Sequence, residues 1–191
     1  MRKLILFMHV SLDGFVAGPA GEMDWIKVDE EIFDFGGKFT EDADAALYGK
    51  NTWQMMESYW PTAAENPAAT RHDIEHSNWY NSVTKIVLST TINATDRPKT
   101  IIIDKNSSEQ IKMIKEQPGK NIHIYGSPTA VHFLERKNLI DEYWLFVNPI
   151  ILGTGIPLFQ HSDRRKELEL LATKEFSSGV VALQYRAKVE K

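Results

Sequence analysis

The chain has 191 residues, 42% of them hydrophobic and 25% charged, which is enough for one sizeable core and ordinary for a soluble globular protein. A formal net charge of −4 with no Lys/Arg run argues against nucleic acid as the main partner, because a phosphate backbone is held by a basic face. Without cysteine there is neither a disulfide nor a thiolate metal site, which fits a cytoplasmic protein, and no apolar run approaches the roughly 18 residues that span a bilayer.

Met1-Arg2-Lys3 followed by Leu4 to Val10 resembles a signal peptide, but His9 breaks the apolar run and Asp13 closes it. A first strand buried on both faces is the expectation. Ser11-Leu12-Asp13-Gly14 is then a turn, and a helix containing Ile32, Phe33 and Phe35 ends at Gly36-Gly37. Asp42 to Tyr48 reads as a buried strand. It feeds a helix at Gly49-Lys50-Asn51-Thr52-Trp53, with Trp53 and Met56 inward and Met55 a further candidate for that face. Two prolines and a cluster of alanines make Trp60 to Thr70 a surface loop, and Ile74 to Tyr80 a short helix. Lys85 to Ser89 and Ile101 to Ile103 are strands, and Ser107 to Gln117 an amphipathic helix with its lysines outward.

Asn121 to Phe159 holds a strand at Ile122 and Ile124, a turn at Gly126-Ser127-Pro128-Thr129, a helix to about Lys137 and a strand from Glu142. Ser127 suits an N-cap and Pro128 the first helical position. The chain closes with a hairpin, Leu168 to Phe176 and Val180 to Val189, turning at Ser177-Ser178-Gly179. The order β-α-β-α-α-β-β-α-β-α-β plus hairpin predicts an α/β fold: a central mixed, mostly parallel sheet flanked by helices, with a C-terminal antiparallel β-hairpin. With no linker and no repeat, residues 1–191 read as a single domain.

Three strand ends are small or polar: Gly49-Lys50-Asn51-Thr52, Ser89-Thr90 and Gly126-Ser127-Pro128-Thr129. Ligands of open α/β sheets settle at such ends, and a helix N-terminus there favours an anion. Each corner alone is equally a capped turn; together they point to a phosphate-bearing ligand. Neither G-x-G-x-x-G nor a P-loop motif is present. His72 and His76 read as a solvated face rather than a metal site, and His132 and Glu135 as the outer face of their helix. Asp24, Asp29, Glu30 and Glu31 could relay a proton or simply complement a helix dipole, and the sequence leaves both open.

Six motifs, in order, carry a resemblance across nearly the whole chain: SLDGFVAG (11–18), MDW (23–25), YGKNTW (48–53), KIVLST (85–90), IYGSPTAVHFL (124–134) and LIDEYWLFVNPIILGTGIPLF (139–159). The chain resembles the dihydrofolate reductase-like superfamily, specifically the reductase domain of riboflavin biosynthesis and its stand-alone relatives. The resemblance implies NADPH as cofactor. Val16 and Ala17 would lie near the nicotinamide, and Gly49, Lys50, Asn51 and Thr52 at the phosphates, with Lys50 for the 2′-phosphate. Ser89 would flank the adenosine end with Thr90 beside it, and Gly126, Ser127, Pro128 and Thr129 the pyrophosphate.

Dihydrofolate reductases carry Gly-Gly where this chain has Gly126-Ser127. Their catalytic carboxylate has Glu30 as nearest counterpart and Asp29 as next. His9, Trp25, Trp53 and Glu57 would line the substrate pocket, with core packing equally open for Trp53. The resemblance further implies a small-molecule substrate close to a phosphoribosylamino-pyrimidine and a homodimer, to which Ile150, Ile151 and Leu152 could contribute unless they form a core strand. The deaminase zinc motif is absent. Dihydrofolate reduction and ligand binding without turnover are the alternatives.

Overall fold

The first strand, β1 (Leu4–Ser11), is buried at every position except His9, so its two faces are apolar without alternation. That is the pattern of a strand covered on both sides, and it is paired in parallel with β7 (Glu142–Asn148) from Ile5↔Glu142 to Ser11↔Asn148. The computed structural model to which these strands belong describes residues 1–92, 94–104, 107–160 and 165–188. Its residues divide into two units, Met1–Arg2 with Val28–His123 and Lys3–Lys27 with Ile124–Lys191, the division falling within β6 (Asn121–Tyr125).

The first unit contains three parallel strands in the order β5 (Thr100–Ile103), β4 (Thr84–Leu88), β3 (Ala43–Gly49). Leu47, Tyr48, Ile86 and Val87 are essentially inaccessible, each such side chain contributing about 1.5–3 kcal/mol on burial. Around them stand α1 (Glu30–Thr40), α2 (Lys50–Tyr59), α3 (Arg71–Ser82) and α4 (Ser107–Glu116). The second unit carries the order β1-β7-β10-β9, with β10 (Val181–Ala187) and β9 (Leu168–Glu175) forming the antiparallel hairpin. It also holds α5 (Pro128–Arg136) and a separate antiparallel pair, β2 (Phe15–Ala17) with β8 (Ile156–Pro157). The fold is therefore the expected mixed, mostly parallel sheet with flanking helices and a terminal hairpin.

Several local expectations are corrected. Gly36-Gly37 does not end α1, which runs on to Thr40. Two interior glycines cost roughly 1 kcal/mol each against alanine. The helix is held regardless by Asp29, whose Oδ1 accepts the Ile32 N–H at 2.9 Å, and by Phe33 stacked at 3.9 Å on His72 of α3. Trp60 to Glu65 is a 3-10 helix rather than loop, with Ala63 buried. The helix expected from Ile74 begins at Arg71, because Thr70 and Asp73 form a reciprocal capping box. Lys115 of α4 is buried rather than outward. Ile150 to Leu152 lies beyond the end of β7, and Ile151 is 70% exposed, so this stretch is no core strand.

Candidate functional site

In the first unit β3 and β4 are parallel neighbours with Gly49 opposite Leu88, so their carboxyl ends emerge side by side. This brings two of the three polar corners together. Lys50 opens α2 and reaches across to Thr91, its Nζ donating to Oγ1 at 3.0 Å. Among the described residues no carboxylate pairs with Lys50. Ser89 Oγ accepts the backbone N–H groups of Thr91 (3.1 Å) and Ile92 (2.9 Å), which folds the loop back over the strand end. Helix α2 begins at Gly49 without a side-chain cap and without an acid in its first turn. A cation, a set of hydroxyls and the positive end of a helix dipole thus occupy one corner, an arrangement suited to an anion. Asn51 and Thr90 are exposed and Thr52 half-buried there.

Farther along α2, Trp53 is buried and its Nε1 has no hydrogen-bond partner among the described residues. Glu57 accepts the Tyr80 hydroxyl at 2.7 Å and faces Arg97 Nε at 3.7 Å. Burial first, then that bond, pushes the Tyr80 hydroxyl well above its ordinary pKa. Trp53, Gln54, Glu57, Ser58 and Arg97 line a cleft of about 260 Å³. Asp29 caps α1, as described above, and Glu30 is exposed in its first turn. His72 and His76 are not a solvated face: with Phe33, Trp60 and Trp79 they make an aromatic cluster in which burial pushes His76 down to about 3. Among the described residues no three His, Asp or Glu side chains are grouped to hold a metal.

In the second unit His9 and Asn148 meet at the carboxyl ends of β1 and β7, Asn148 Nδ2 lying 3.2 Å from His9 Nδ1. Burial pushes His9 down to about 4. Val16 and Ala17 are buried in β2. Trp25 is half-buried and donates from Nε1 to the Glu22 carbonyl at 3.1 Å. Asp13, which the sequence marks only as a turn residue, accepts Ser11 Oγ (2.7 Å) and the backbone N–H groups of Leu152 (3.1 Å) and Gly153 (2.7 Å). The Ser11 bond first, and these backbone bonds, hold its carboxyl below the usual range.

The third corner differs from expectation in detail. Ser127 occupies the N-cap position of α5 but in left-handed conformation (φ 62°, ψ 53°) directly after Gly126 (φ 55°), and its side chain caps nothing. Its hydroxyl turns back to donate to the Tyr125 carbonyl at 3.1 Å. Pro128 takes the first helical turn as expected, and Thr129 is exposed. His132 and Glu135 face inward: His132 Nε2 lies 2.8 Å from the Pro157 carbonyl, and Glu135 takes bonds from the Tyr143 hydroxyl and from Lys166 (2.8 Å).

The architecture, a mixed, mostly parallel sheet flanked by helices with a terminal antiparallel hairpin, is a dihydrofolate reductase-like fold. Solved structures share this fold: a putative riboflavin biosynthesis protein from Shewanella sp. PV-4 (TM-score 0.73, 21% identity, 98% of this chain and 100% of that one), and dihydrofolate reductase from Enterococcus faecalis in complex with NADP(H) and RAB-propyl (TM-score 0.61, 15%, 98% and 97%). A third is the diaminohydroxyphosphoribosylaminopyrimidine deaminase/5-amino-6-(5-phosphoribosylamino)uracil reductase of Thermotoga maritima (TM-score 0.67, 16%, 98% of this chain and 57% of that one). At these identities they speak for the fold alone. The chain belongs to the RibD C-terminal domain family, whose profile matches residues 2–182. It is also 36% identical to the uncharacterized protein YyaP of Bacillus subtilis (strain 168), over 96% of this chain and 94% of that protein.

Proposed function

We propose that this protein is an NADPH-dependent reductase acting on a small heterocycle-linked substrate, of the class named by the uracil reductase activity of the Thermotoga maritima relative. The observation that carries this reading is the Lys50 corner: a cation whose described partner is a hydroxyl, at an uncapped helix start beside Ser89 and Thr91. A 2′-phosphate supplies the missing counter-charge, and a charged hydrogen bond of this kind contributes about 1.5–3 kcal/mol. Gly49 to Thr52 with Ser89 and Thr90 would hold the phosphate-bearing adenosine end. Gly126 to Thr129 would hold the pyrophosphate, and Val16 and Ala17 would flank the nicotinamide. When bound, NADPH supplies the hydride.

The chain's own part is to bind and orient. His9, Trp25, Trp53 and Glu57 are the proposed substrate contacts. Of the two carboxylates proposed as proton donors, Asp29 is engaged as a helix cap while Glu30 is exposed, so Glu30 is the better placed to exchange a proton with solvent. We carry the homodimer and a cytoplasmic location as part of the same reading. Exposed Ile151 supports the first, and among the described residues no helix is long and apolar enough to cross a membrane.

The test is titration of the purified protein with NADPH and NADH separately. NADPH is expected to bind at least tenfold tighter, and Lys50→Ala to abolish that preference, a difference matching one charged bond. Equal and unmeasurable binding of both nucleotides would refute the reductase reading and favour a relative that binds other ligands without turnover.

A further inference from the structure

At the end of β7 one buried amide makes four polar contacts. Asn148 is 0% exposed; its Oδ1 accepts the Lys27 backbone N–H at 2.9 Å, and its Nδ2 donates to the Phe146 carbonyl at 3.0 Å. The same nitrogen lies 3.4 Å from the Val10 carbonyl and 3.2 Å from His9 Nδ1. Rotating the amide by half a turn would set its oxygen against two carbonyl oxygens and its NH2 against an N–H. Three backbone groups therefore fix which end is which, independently of the histidine.

The consequence falls on His9. Because an NH2 faces Nδ1, that nitrogen must carry the lone pair, and the ring proton must sit on Nε2. A proton on Nδ1 would point at that NH2, which cannot accept it. The ring is further held by stacking on Phe146, with centroids 4.9 Å apart and planes 22° from parallel. Burial keeps the ring neutral, its pKa pushed down to about 4. Nε2 has no partner among the described residues, and His9 is half-buried where the rest of β1 is buried.

We propose that Asn148 is a positioning residue that locks His9 in the neutral Nε2–H tautomer, so that His9 offers a ligand one fixed hydrogen-bond donor. Such a donor selects a planar heterocycle presenting a lone pair, a ring carbonyl oxygen or an unprotonated ring nitrogen, and disfavours an amino group at the same point. The proposal rests on the reductase reading only for the name of the ligand's class.

Long-range ¹H–¹⁵N correlation on the labelled full-length protein reads the tautomer directly. At pH 7 the His9 signals are expected to show a protonated Nε2 and an unprotonated Nδ1; an Nδ1–H form or an averaged mixture would overturn the lock. Asn148→Ser removes the amide and is expected to give a tautomer mixture, and an unchanged single tautomer in the folded variant would show that Asn148 does not set it. If that variant fails to fold, Asn148→Thr, which likewise removes the amide and places a β-branched residue at the strand end, takes its place with the same expectation. Titration of the wild-type protein with 5,6-diaminouracil is expected to shift the Nε2 resonance, and His9→Leu to weaken that binding about tenfold while His9→Gln retains more of it. Binding that leaves Nε2 unmoved would overturn the donor role. Nucleotide titration fails or succeeds separately: a locked His9 without NADPH binding refutes only the reductase, and a mobile tautomer with NADPH bound refutes only the lock.

Discussion

Gly155 stands just before β8, and its replacement by alanine tests whether the β2–β8 pairing is what positions Val16 and Ala17. At φ +154° the backbone is in a region that L-residues avoid, at a cost of about 1–2 kcal/mol. An added Cβ would lie 2.2 Å from the Ala17 carbonyl oxygen and 3.3 Å from Phe15 Cδ1. To reach ordinary contact β2 must withdraw by about 1 Å, and such overpacking costs about 1–3 kcal/mol more.

Gly153→Ala is the internal control, since φ there is +73° but nothing lies within 4 Å of an added Cβ. It should show the conformational cost alone. For a chain of this length each kcal/mol lowers Tm by about 2–4 °C, so Gly155→Ala is expected to fall by roughly 4–20 °C and Gly153→Ala by roughly 2–8 °C, the first by more than the second. Thermal unfolding followed by circular dichroism measures both. On the proposed reading, in which Val16 and Ala17 would flank the nicotinamide, a displacement of about 1 Å should also lower turnover by about 10²-fold in Gly155→Ala only. Equal losses in the two variants would refute the argument, because the only difference it uses is the close approach to β2.

Two further outcomes follow from buried groups. His76 is packed against Trp60 (4.1 Å) and Trp79 (5.2 Å), and burial takes it from its ordinary 6.5 down to about 3. The unfolded chain binds that proton below pH 6.5 and the folded one does not until about pH 3, so its contribution is intact above pH 6.5 and declines as pH falls through that window. His9 and His123, each lowered to about 4, act in the same direction. Urea unfolding between pH 7 and 4.5 should show falling stability, with His76→Phe removing about 1.4 kcal/mol per pH unit of the slope; an unchanged slope would count against the buried, neutral assignment.

Ser127 gives a reversal of rank. Ser127→Ala loses the bond to the Tyr125 carbonyl and keeps the left-handed strain, while Ser127→Gly loses the same bond and sheds the strain. Glycine should therefore be more stable than alanine by about 1 kcal/mol, opposite to the order inside a helix, and chemical denaturation showing alanine ahead would overturn this.

The order of strands and helices was legible because each segment declares itself locally. Leu4 to Val10 is apolar on both faces, Gly49-Lys50 and Ser127-Pro128 mark helix starts, and Ser177-Ser178-Gly179 lies between two alternating runs. The capping box of Thr70 and Asp73 was also written in the sequence and would have extended α3 to its true start. What the sequence could not weigh was compensation. Gly36-Gly37 looks like a stop, and only the Phe33–His72 stack and the Asp29 cap decide that the helix passes through it.

The same division runs through the candidate site. That Lys50 and Ser89 sit at strand ends follows from their own neighbours in sequence; that those ends are adjacent follows from β3 pairing with β4, a contact between residues about 40 positions apart. The inward turn of His132 and Glu135 depends on Pro157, Tyr143 and Lys166 arriving from elsewhere in the chain. Asn148 carried no sequence signal beyond being polar at the end of an apolar run. Its hold on His9, 139 residues away, exists because two strands run parallel and in register. Short-range chemistry sets which element forms and what each corner carries, since caps and turns act over a few residues. Long-range packing sets which corners meet and which way a buried polar group points, since those depend on partners that no local window contains.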